Sequence, residues 1–246
     1  MTENRRRVVV LVVALATLAV SLGWSVAGLR PFGTFAGRYG QIANTVTPHR
    51  DAIPEVVTSV TYDMRSFDSL GETFILFSAV MGAALLLRES RDTGNQRPRD
   101  AATADTIRLL GLGLVPVVLA VGLWDGVTAG LSPGNGFQVG VILGSGALLI
   151  WAAGSYAAFR KATPAWLVDG ADGVGAGGIV IIGLIALAVT GVFLQMFGGP
   201  GPYATIRSGG IVLYFSWSVA LEVAAANVLL FHEFLEEYVP QLPETR

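Results

Sequence analysis

Cysteine is absent from this chain of 246 residues, and histidine occurs only twice. The lack of cysteine excludes disulfides, thiolate metal sites and cysteine nucleophiles. His49 and His232 lack the acid–histidine spacing of a metal-binding helix. No nucleophile–base pair or cofactor motif can be assembled from the remaining residues. The sequence therefore predicts no catalytic residues, no metal site and no cofactor, and a role other than that of an enzyme.

Charged residues are also scarce, at 14% of the chain, whereas hydrophobic residues reach 52% and the mean hydropathy is +0.60. Average soluble domains carry roughly 25% charged residues. No clustered basic face of the kind that binds nucleic acid is present. The composition predicts an integral membrane protein that is surrounded by the lipid bilayer and binds no nucleic acid.

A membrane-spanning helix needs roughly 20 mostly apolar residues. Six stretches meet or approach that requirement: 8–29, 69–87, 107–129, 138–158, 175–197 and 210–231. The first is too long for a secretory signal, has no convincing cleavage site and is followed by further spans. The sequence predicts an all-α, polytopic integral membrane protein with about six transmembrane helices.

The basic residues predict the orientation of these spans. With the N-terminus inside, the cytoplasmic segments hold eleven of the sixteen basic residues and the opposite side holds five. The eleven are Arg5, Arg6, Arg7, Arg88, Arg91, Arg97, Arg99, Arg108, Arg160, Lys161 and Arg246. The five are Arg30, Arg38, Arg50, Arg65 and Arg207. Because basic residues concentrate in cytoplasmic loops, we expect a multi-pass protein of the cell membrane with both termini in the cytoplasm.

The polar stretch 89–105 is the one clear linker, since it carries proline and glycine and has no apolar period. It divides the chain into a two-helix module, 1–100, and a four-helix module, 101–246. The two parts share no sequence repeat, so the sequence gives no support to an inverted-repeat transporter.

A charged cluster lies at the start of the second apolar stretch. It contains Asp63, Arg65, Asp68 and Glu72, and we expect Glu72 in the first turn of the helix. Ionisable groups at membrane depth usually face a protein interior or a water-filled path, so these residues are candidates for an ion or proton path. Alternatively, Asp68 or Ser69 caps the helix, Glu72 completes a capping box and Arg65 pairs with a neighbouring acid.

Three further features carry polar groups into the membrane region. Asp125 lies near the end of the third stretch and Glu222 lies in the middle of the sixth, and both are candidates for the ion path. Glu222 could instead hold two helices together by a hydrogen bond. Between the third and fourth stretches the chain reads Ser132, Pro133, Gly134, Asn135, Gly136, Phe137 and Gln138. These residues predict a tight turn, either purely structural or lining a cavity with its backbone and Gln138.

Two of these segments resemble known motifs. Residues 63–72, Asp-Met-Arg-Ser-Phe-Asp-Ser-Leu-Gly-Glu, resemble the DxRGxDTxGE segment near the C-terminus of the A subunit of Mrp-type cation/proton antiporters. The same segment occurs in the E subunit of related membrane-bound hydrogenases. Residues 129–140 resemble the GHxSPGGGFQGG signature of the Mrp B subunit, and residues 221–237 are similar to its last helix.

The resemblance covers about residues 50–238 and departs from both motifs at a few positions. Ala129 and Gly130 replace the usual Gly-His pair, and Asn135 and Val139 replace two glycines. Ser66 and Ser69 stand where glycine and threonine are usual. The matched residues of the first motif are Asp63, Arg65, Asp68, Gly71 and Glu72.

The resemblance implies a B-like subunit (MnhB/MrpB) of an Mrp-type Na+/H+ antiporter, fused to a segment similar to the C-terminal end of the A subunit and to the E subunit of membrane-bound hydrogenases (MbhE). Its partners would be the other subunits of such a complex, and Na+ and H+ the transported ions. The chain has no intramembrane lysine, unlike the long pumping subunits of these complexes. Two alternatives remain: a membrane module of a hydrogenase or another redox-driven ion pump, and a purely structural scaffold.

Overall fold

The computed structural model describes residues 3–29, 31, 33–34, 37–90, 100 and 104–237. Most of the predicted linker 89–105 lies outside these residues. Five of the basic residues used to predict the orientation lie outside them as well: Arg30, Arg91, Arg97, Arg99 and Arg246.

The described residues form nine α-helices and one π-helical turn. They are α1 (Glu3–Ala27), α2 (Arg38–Arg50), α3 (Val56–Ser59), the π-turn (Val60–Met64), α4 (Ser66–Ser90), α5 (Asp105–Val127), α6 (Gly136–Ala153), α7 (Tyr156–Ala162), α8 (Ala165–Thr190) and α9 (Val212–Glu237). Six of them, α1, α4, α5, α6, α8 and α9, are long and apolar enough to cross a membrane. The predicted all-α, polytopic architecture with six spans is confirmed.

The fourth predicted helix, 138–158, ends too late. Helix α6 stops at Ala153, and the chain turns at Gly154. The Ser155 hydroxyl then accepts a hydrogen bond from the backbone N–H of Ala158 at 3.1 Å and caps the short helix α7. The apolar run of the sequence continues across this turn, so hydropathy alone did not reveal it.

The fifth predicted helix, 175–197, is displaced along the chain. Helix α8 begins ten residues earlier, at Ala165, and ends at Thr190. Gly191 follows with a left-handed φ of +79°, which closes the helix. The earlier start brings Asp169 and Asp172, which lie before the predicted start at residue 175, into the span.

The chain divides into two compact units, residues 1–41 and 42–246. In the first unit, α1 carries a ladder of hydroxyl groups bonded to its own backbone. Thr17, Ser21 and Ser25 each donate to the carbonyl four residues earlier, at 2.8–2.9 Å. Because these polar side chains are satisfied within the helix, they are compatible with an apolar environment.

Helix α9 is the centre of the second unit and the most buried of the six spans. Helices α4, α6 and α8 pack around it, and α5 packs mainly on the outer side of α6. Helix α4 comes from the predicted module 1–100, yet it packs on α8 and α9 of the module 101–246. The division of the sequence into two modules at residue 100 remains a prediction. In the structure, α4 belongs to the same compact unit as the later helices.

A stripe of glycines sets the distance between α6 and α9. Gly136, Gly140 and Gly144 recur every four residues and so lie on one face of α6. A Cβ atom added at Gly140 would lie 2.6 Å from the Cβ of Val223, and one at Gly144 would lie 3.2 Å from that of Asn227. Only glycine therefore allows these two membrane helices to approach so closely.

Candidate functional site

Three segments meet at the end of the bundle where α9 begins: residues 47–66, 128–136 and 191–211. We call this region the polar cap. Backbone hydrogen bonds join the segments, from Gly209 N–H to the Asp51 carbonyl at 2.9 Å and from Ala204 N–H to the Ala52 carbonyl at 3.0 Å. The Thr58 hydroxyl also donates to the carbonyl of Ala129 at 2.6 Å.

Asp51 is the most enclosed acid of the polar cap. It is fully buried, and one of its carboxylate oxygens accepts a hydrogen bond from the Ser59 hydroxyl. The Thr47 hydroxyl donates to Ser59 at 3.2 Å. Burial raises the pKa of Asp51 to about 6, the Ser59 hydrogen bond opposes this shift, and the charge of Asp63 adds to it. Asp51 can therefore titrate near neutral pH.

Asp63 forms an ion pair with Arg50, with Nε and Nη2 of the guanidinium 2.6 and 2.9 Å from its two carboxylate oxygens. The Asp63 side chain is buried, whereas 45% of the Arg50 side chain is exposed. Burial raises the pKa of Asp63, and the charge and hydrogen bond of Arg50 oppose this shift. Sequence reasoning missed Arg50 and Asp51, since no motif marks them and only the turn after α2 brings them to Ser59 and Asp63.

Arg65 pairs with Asp68, as one interpretation of the sequence predicted, at 2.5 Å from Nη2 to the carboxylate. Both side chains are more than half exposed. The other part of that interpretation is wrong, because α4 begins at Ser66. Asp68 therefore lies inside the first turn, and the Ser69 hydroxyl donates to the carbonyl of Thr61 at 2.7 Å instead of capping a helix.

Glu72 lies in the second turn of α4, so its predicted place in the first turn and in a capping box is wrong. Its side chain is exposed, next to Gly71 and one turn from the exposed Asp68 and Ile75. Within the described part of the chain no hydrogen bond or ion pair engages it. Burial raises the pKa of Tyr62, and the nearby charge of Glu72 adds to the shift.

The turn 128–136 is built as a tight connection. The Asn135 side chain accepts from the Phe137 N–H at 3.1 Å, and the Gln138 side chain accepts from the Asn135 N–H at 2.9 Å, which forms a capping box for α6. Gln138 is thus engaged in the cap of the helix. Asp125 packs on the turn, because a Cβ atom at Gly134 would lie 2.6 Å from its carboxyl carbon.

Within the turn, the remaining motif residues bond or pack locally. The Ser132 hydroxyl lies 3.1 Å from the Thr128 hydroxyl, and Pro133 is exposed. Phe137 packs on the apolar cluster beneath the polar cap. The backbone N–H of Gly136 donates to the phenolic oxygen of Tyr62 at 2.7 Å.

Glu222 lies away from the polar cap, in the middle of α9, and is fully buried. Neither of its carboxylate oxygens has a hydrogen-bond partner among the described residues. The charge of Asp172 on α8, itself 7% exposed, acts on it. Sequence reasoning missed Asp172 because the predicted fifth helix began after it.

The structure thus brings Asp63, Arg65 and Asp68 together in or beside the polar cap, with Glu72 on the neighbouring face of α4. Asp125 contacts the turn of the same region, and Glu222 belongs to a separate site between α8 and α9.

The sequence of the second unit matches a family model, the domain related to the MnhB subunit of Na+/H+ antiporters, over residues 106–229, which is half of the chain. The chain belongs to this family. The match includes the turn 128–136 and most of α9, the two parts that resemble the Mrp B subunit. It confirms the resemblance to the B subunit and the expectation of a membrane subunit of the Na+/H+ antiporter type.

Similar proteins extend the match beyond the family domain. An uncharacterised protein from Methanocaldococcus jannaschii is 26% identical over 199 residues, which are 70% of this chain and 74% of that protein. A chain of the membrane-bound sulfane sulfur reductase, an archaeal respiratory membrane complex, has the same fold with a TM-score of 0.70 and 22% identity. That alignment covers 93% of this chain and 98% of the other.

The fold also occurs in the Mrp complex from Dietzia sp. DQ12-45-1b, with a TM-score of 0.67 and 22% identity. The alignment covers 99% of this chain but only 27% of the much longer chain of that complex. At this identity the two structures show the shared fold alone.

Proposed function

We propose that this chain is a non-catalytic transport subunit of an Mrp-type Na+/H+ antiporter, and that it contributes to the ion passage and to a subunit interface. It works in the cell membrane, with both termini in the cytoplasm and Na+ and H+ as the ions carried. The exposed acid Glu72 within the span of α4 is the observation on which the proposal rests.

The position of Glu72 supports an interface on this face of α4. A carboxylate facing lipid is costly, so acids within spans face a protein interior or water. Glu72 is exposed in the isolated chain, as are Gly71 and Asp68 beside it. In the membrane this face therefore needs a neighbouring subunit that shields it and supplies a polar path.

The remaining acids extend this path into the chain. Glu72 lies close enough to act on Tyr62, and Tyr62 precedes Asp63 within the π-turn. We assign Glu72 and Asp63 to the passage, with Arg65 and Asp68 at its entrance. Asp125 lies beside the turn 128–136 and is a further candidate for the same passage.

The N-terminal segment is proposed to be a module similar to the C-terminal end of the A subunit, fused to the MnhB-related domain. Residues 63–72 carry its motif, and α4 packs against α8 and α9 of the family domain. A fused module would hold Glu72 at a fixed distance from the rest of the passage without a separate binding step.

Co-purification and antiport assays test the proposal together. The tagged chain, isolated from its native membrane in mild detergent, should bring down the long antiporter subunits. Inverted vesicles from antiporter-deficient cells should show Na+/H+ exchange when all subunits are expressed and lose it when this chain alone is omitted. Recovery of iron–sulfur or nickel subunits would overturn the proposal in favour of a redox-driven complex, and full exchange without this chain would contradict a transport role.

A further inference from the structure

Two buried acids lie where α8 packs on α9, one on each helix. Asp172 is 7% exposed and Glu222 is fully buried, and the charge of Asp172 acts on Glu222. Both oxygens of Glu222 lack a hydrogen-bond partner among the described residues. A buried, unpartnered carboxyl within a membrane span is rare, and it marks a functional group unless something neutralises it.

Glycines bring the backbone of α8 directly onto this pair. A Cβ atom at Gly175 would lie 2.7 Å from the Cβ of Glu222, and one at Gly178 would lie 2.7 Å from the Ser218 hydroxyl. Glu222 is therefore covered by the α8 backbone and is not turned towards lipid. The close approach also leaves little space for a large ligand beside the carboxyl group.

Among the described side chains, no cation forms an ion pair with Asp172 or Glu222. Helix α6 presents its glycine stripe to α9, and the remaining neighbours carry few charged or titratable side chains in the part of the chain that the structure describes. Those side chains are Tyr62, Asp63, Asp68, Glu72, Asp105, Arg108 and Asp125. Arg108 is exposed on α5. Helix α7 packs on the end of α9 through Tyr156, and it carries the exposed cations Arg160 and Lys161. Arg160 lines the cavity described below, and no ion pair joins these three cations to Asp172 or Glu222 among the described residues. Since two like charges cannot both persist in such a place, the pair must bind a proton or another cation.

A cavity of about 500 Å³ lies at the end of the bundle opposite the polar cap, between α7, α8 and α9. Val168 and Asp169 of α8 line it, one turn before Asp172. Leu229, His232, Glu233 and Glu236 line it from α9. Glu233 lies eleven residues after Glu222, which returns it to nearly the same face of the helix. Glu233 is three turns from Glu222, with the apolar Ala226 and Leu229 between them, whereas Asp169 is one turn from Asp172. The shorter approach from the cavity to the acid pair is therefore along α8.

We propose that Asp172 and Glu222 share a proton, which they take up from this cavity and return to it. A proton fits better than a metal cation, because a dehydrated ion needs several oxygens in place of its water shell. The hydroxyl of Ser218, one turn before Glu222 on α9, already donates to the carbonyl of Tyr214 at 3.0 Å. The use of this proton in transport rests on the proposed function, whereas the site itself rests on the geometry of α8 and α9.

Infrared difference spectroscopy on the purified assembly that contains this chain tests the shared proton. Spectra recorded between acidic and alkaline pH should show a protonated-carboxyl band that Glu222→Gln removes and Asp172→Asn removes or shifts. Asp105→Asn, an exposed acid at the start of α5, is the matched control and should leave the band intact. A band that persists in both pair variants overturns the proposal, as does a band that added Na+ abolishes at constant pH.

Thiol labelling tests access from the cavity, since the chain has no cysteine of its own. Single cysteines at Val168 and Leu229 should react with a small water-soluble reagent in the assembled complex. A cysteine at Ile179, fully buried in the apolar core, should not react. Protection of both cavity positions contradicts the proposal. Neither readout requires antiport, so failure of this site and failure of the proposed function are distinguishable.

Discussion

The phenolic oxygen of Tyr62 accepts a 2.7 Å hydrogen bond from the backbone N–H of Gly136, the first residue of α6. This bond joins the π-turn that precedes α4 to the turn that carries the B-subunit signature. The Tyr62 ring also lies 4.9 Å from the ring of Phe215 on α9. The two motifs, 74 residues apart in the chain, therefore form one structure around the beginning of α9.

Removal of the Tyr62 hydroxyl should weaken this junction. Tyr62→Phe leaves the buried N–H of Gly136 without its partner, and an unsatisfied buried group costs about 1–3 kcal/mol. We expect a lower midpoint of thermal unfolding for the purified assembly. Tyr203→Phe removes a hydroxyl from an exposed loop residue and serves as the control. Equal unfolding midpoints for the two variants would show that the bond contributes nothing.

The glycine stripe of α6 predicts a contrast between two identical substitutions. Gly140→Ala places a Cβ atom 2.6 Å from Val223 and 2.8 Å from the Ala220 carbonyl, so overpacking should cost about 1–3 kcal/mol. Gly113→Ala on α5 has no atom within 4 Å and should be neutral or stabilising by up to about 1 kcal/mol. Thermal stability and yield of the purified assembly measure both. A neutral Gly140→Ala would disprove the close packing of α6 on α9.

Asp51 predicts a pH dependence of stability. Its pKa in the folded chain is raised to about 6 by burial, above the ordinary value of 3.8. Below the ordinary value both the folded and the unfolded state are protonated at this site. As the pH rises from there through about 6, the folded state loses stability on the order of 3 kcal/mol.

Asp51→Asn should remove this pH dependence, because asparagine does not titrate. Unfolding free energies measured from about pH 4 to 7, the window between the two pKa values and just above it, should then fall less steeply with pH than in the unaltered chain. Asp105→Asn, an exposed acid, should leave the slope unchanged. An unchanged slope in Asp51→Asn would indicate that Asp51 remains ionised throughout.

The predicted topology places α7 and the loop 191–211 on opposite sides of the membrane. Single cysteines at Lys161 and Tyr203, both exposed, should therefore react with an impermeant reagent from opposite sides of intact cells and inverted vesicles. Reaction of Lys161→Cys from the outside, or of both variants from the same side, would reject the orientation with cytoplasmic termini.

Hydropathy predicted the six spans because a run of about 20 mostly apolar residues is long enough to cross the bilayer as a helix. It misplaced α8 because Asp169 and Asp172 break the apolar run, although both fit inside the bundle. The end of α6 was missed for the opposite reason, since the turn at Gly154 interrupts no apolar pattern. The predicted helix boundaries were therefore wrong where tertiary packing, and not local composition, determines where a helix begins or ends.

The sequence predicted which residues belong to the candidate site better than it predicted which of them form ion pairs. The motif identified Asp63, Arg65, Asp68 and Glu72, and the Arg65–Asp68 pair is three residues apart and locally predictable. The partner of Asp63 is Arg50, thirteen residues earlier, and this pairing depends on the turn after α2. Residues that the fold brings near each other on two different helices, such as Asp172 and Glu222, show no fixed spacing in the sequence.

The proposed transport role depends most directly on the carboxylate of Glu72. Glu72→Gln keeps the size of the side chain but cannot carry a proton or bind a cation with a full charge. Asp68→Asn alters an exposed ion pair at the entrance of the proposed passage, and such pairs typically contribute about 0–1 kcal/mol. It is the comparison variant on the same helix face, and its effect should be much smaller than that of Glu72→Gln.

Na+/H+ exchange in inverted vesicles, measured across pH with verified assembly of the complex, decides between a transport subunit and a scaffold. We predict that Glu72→Gln assembles normally and slows exchange by about tenfold or more, which corresponds to at least about 1.4 kcal/mol on the barrier. Asp68→Asn should retain most of the activity. Full exchange by Glu72→Gln at every pH, with loss of assembly in Asp68→Asn, would contradict the account and leave the chain as a scaffold.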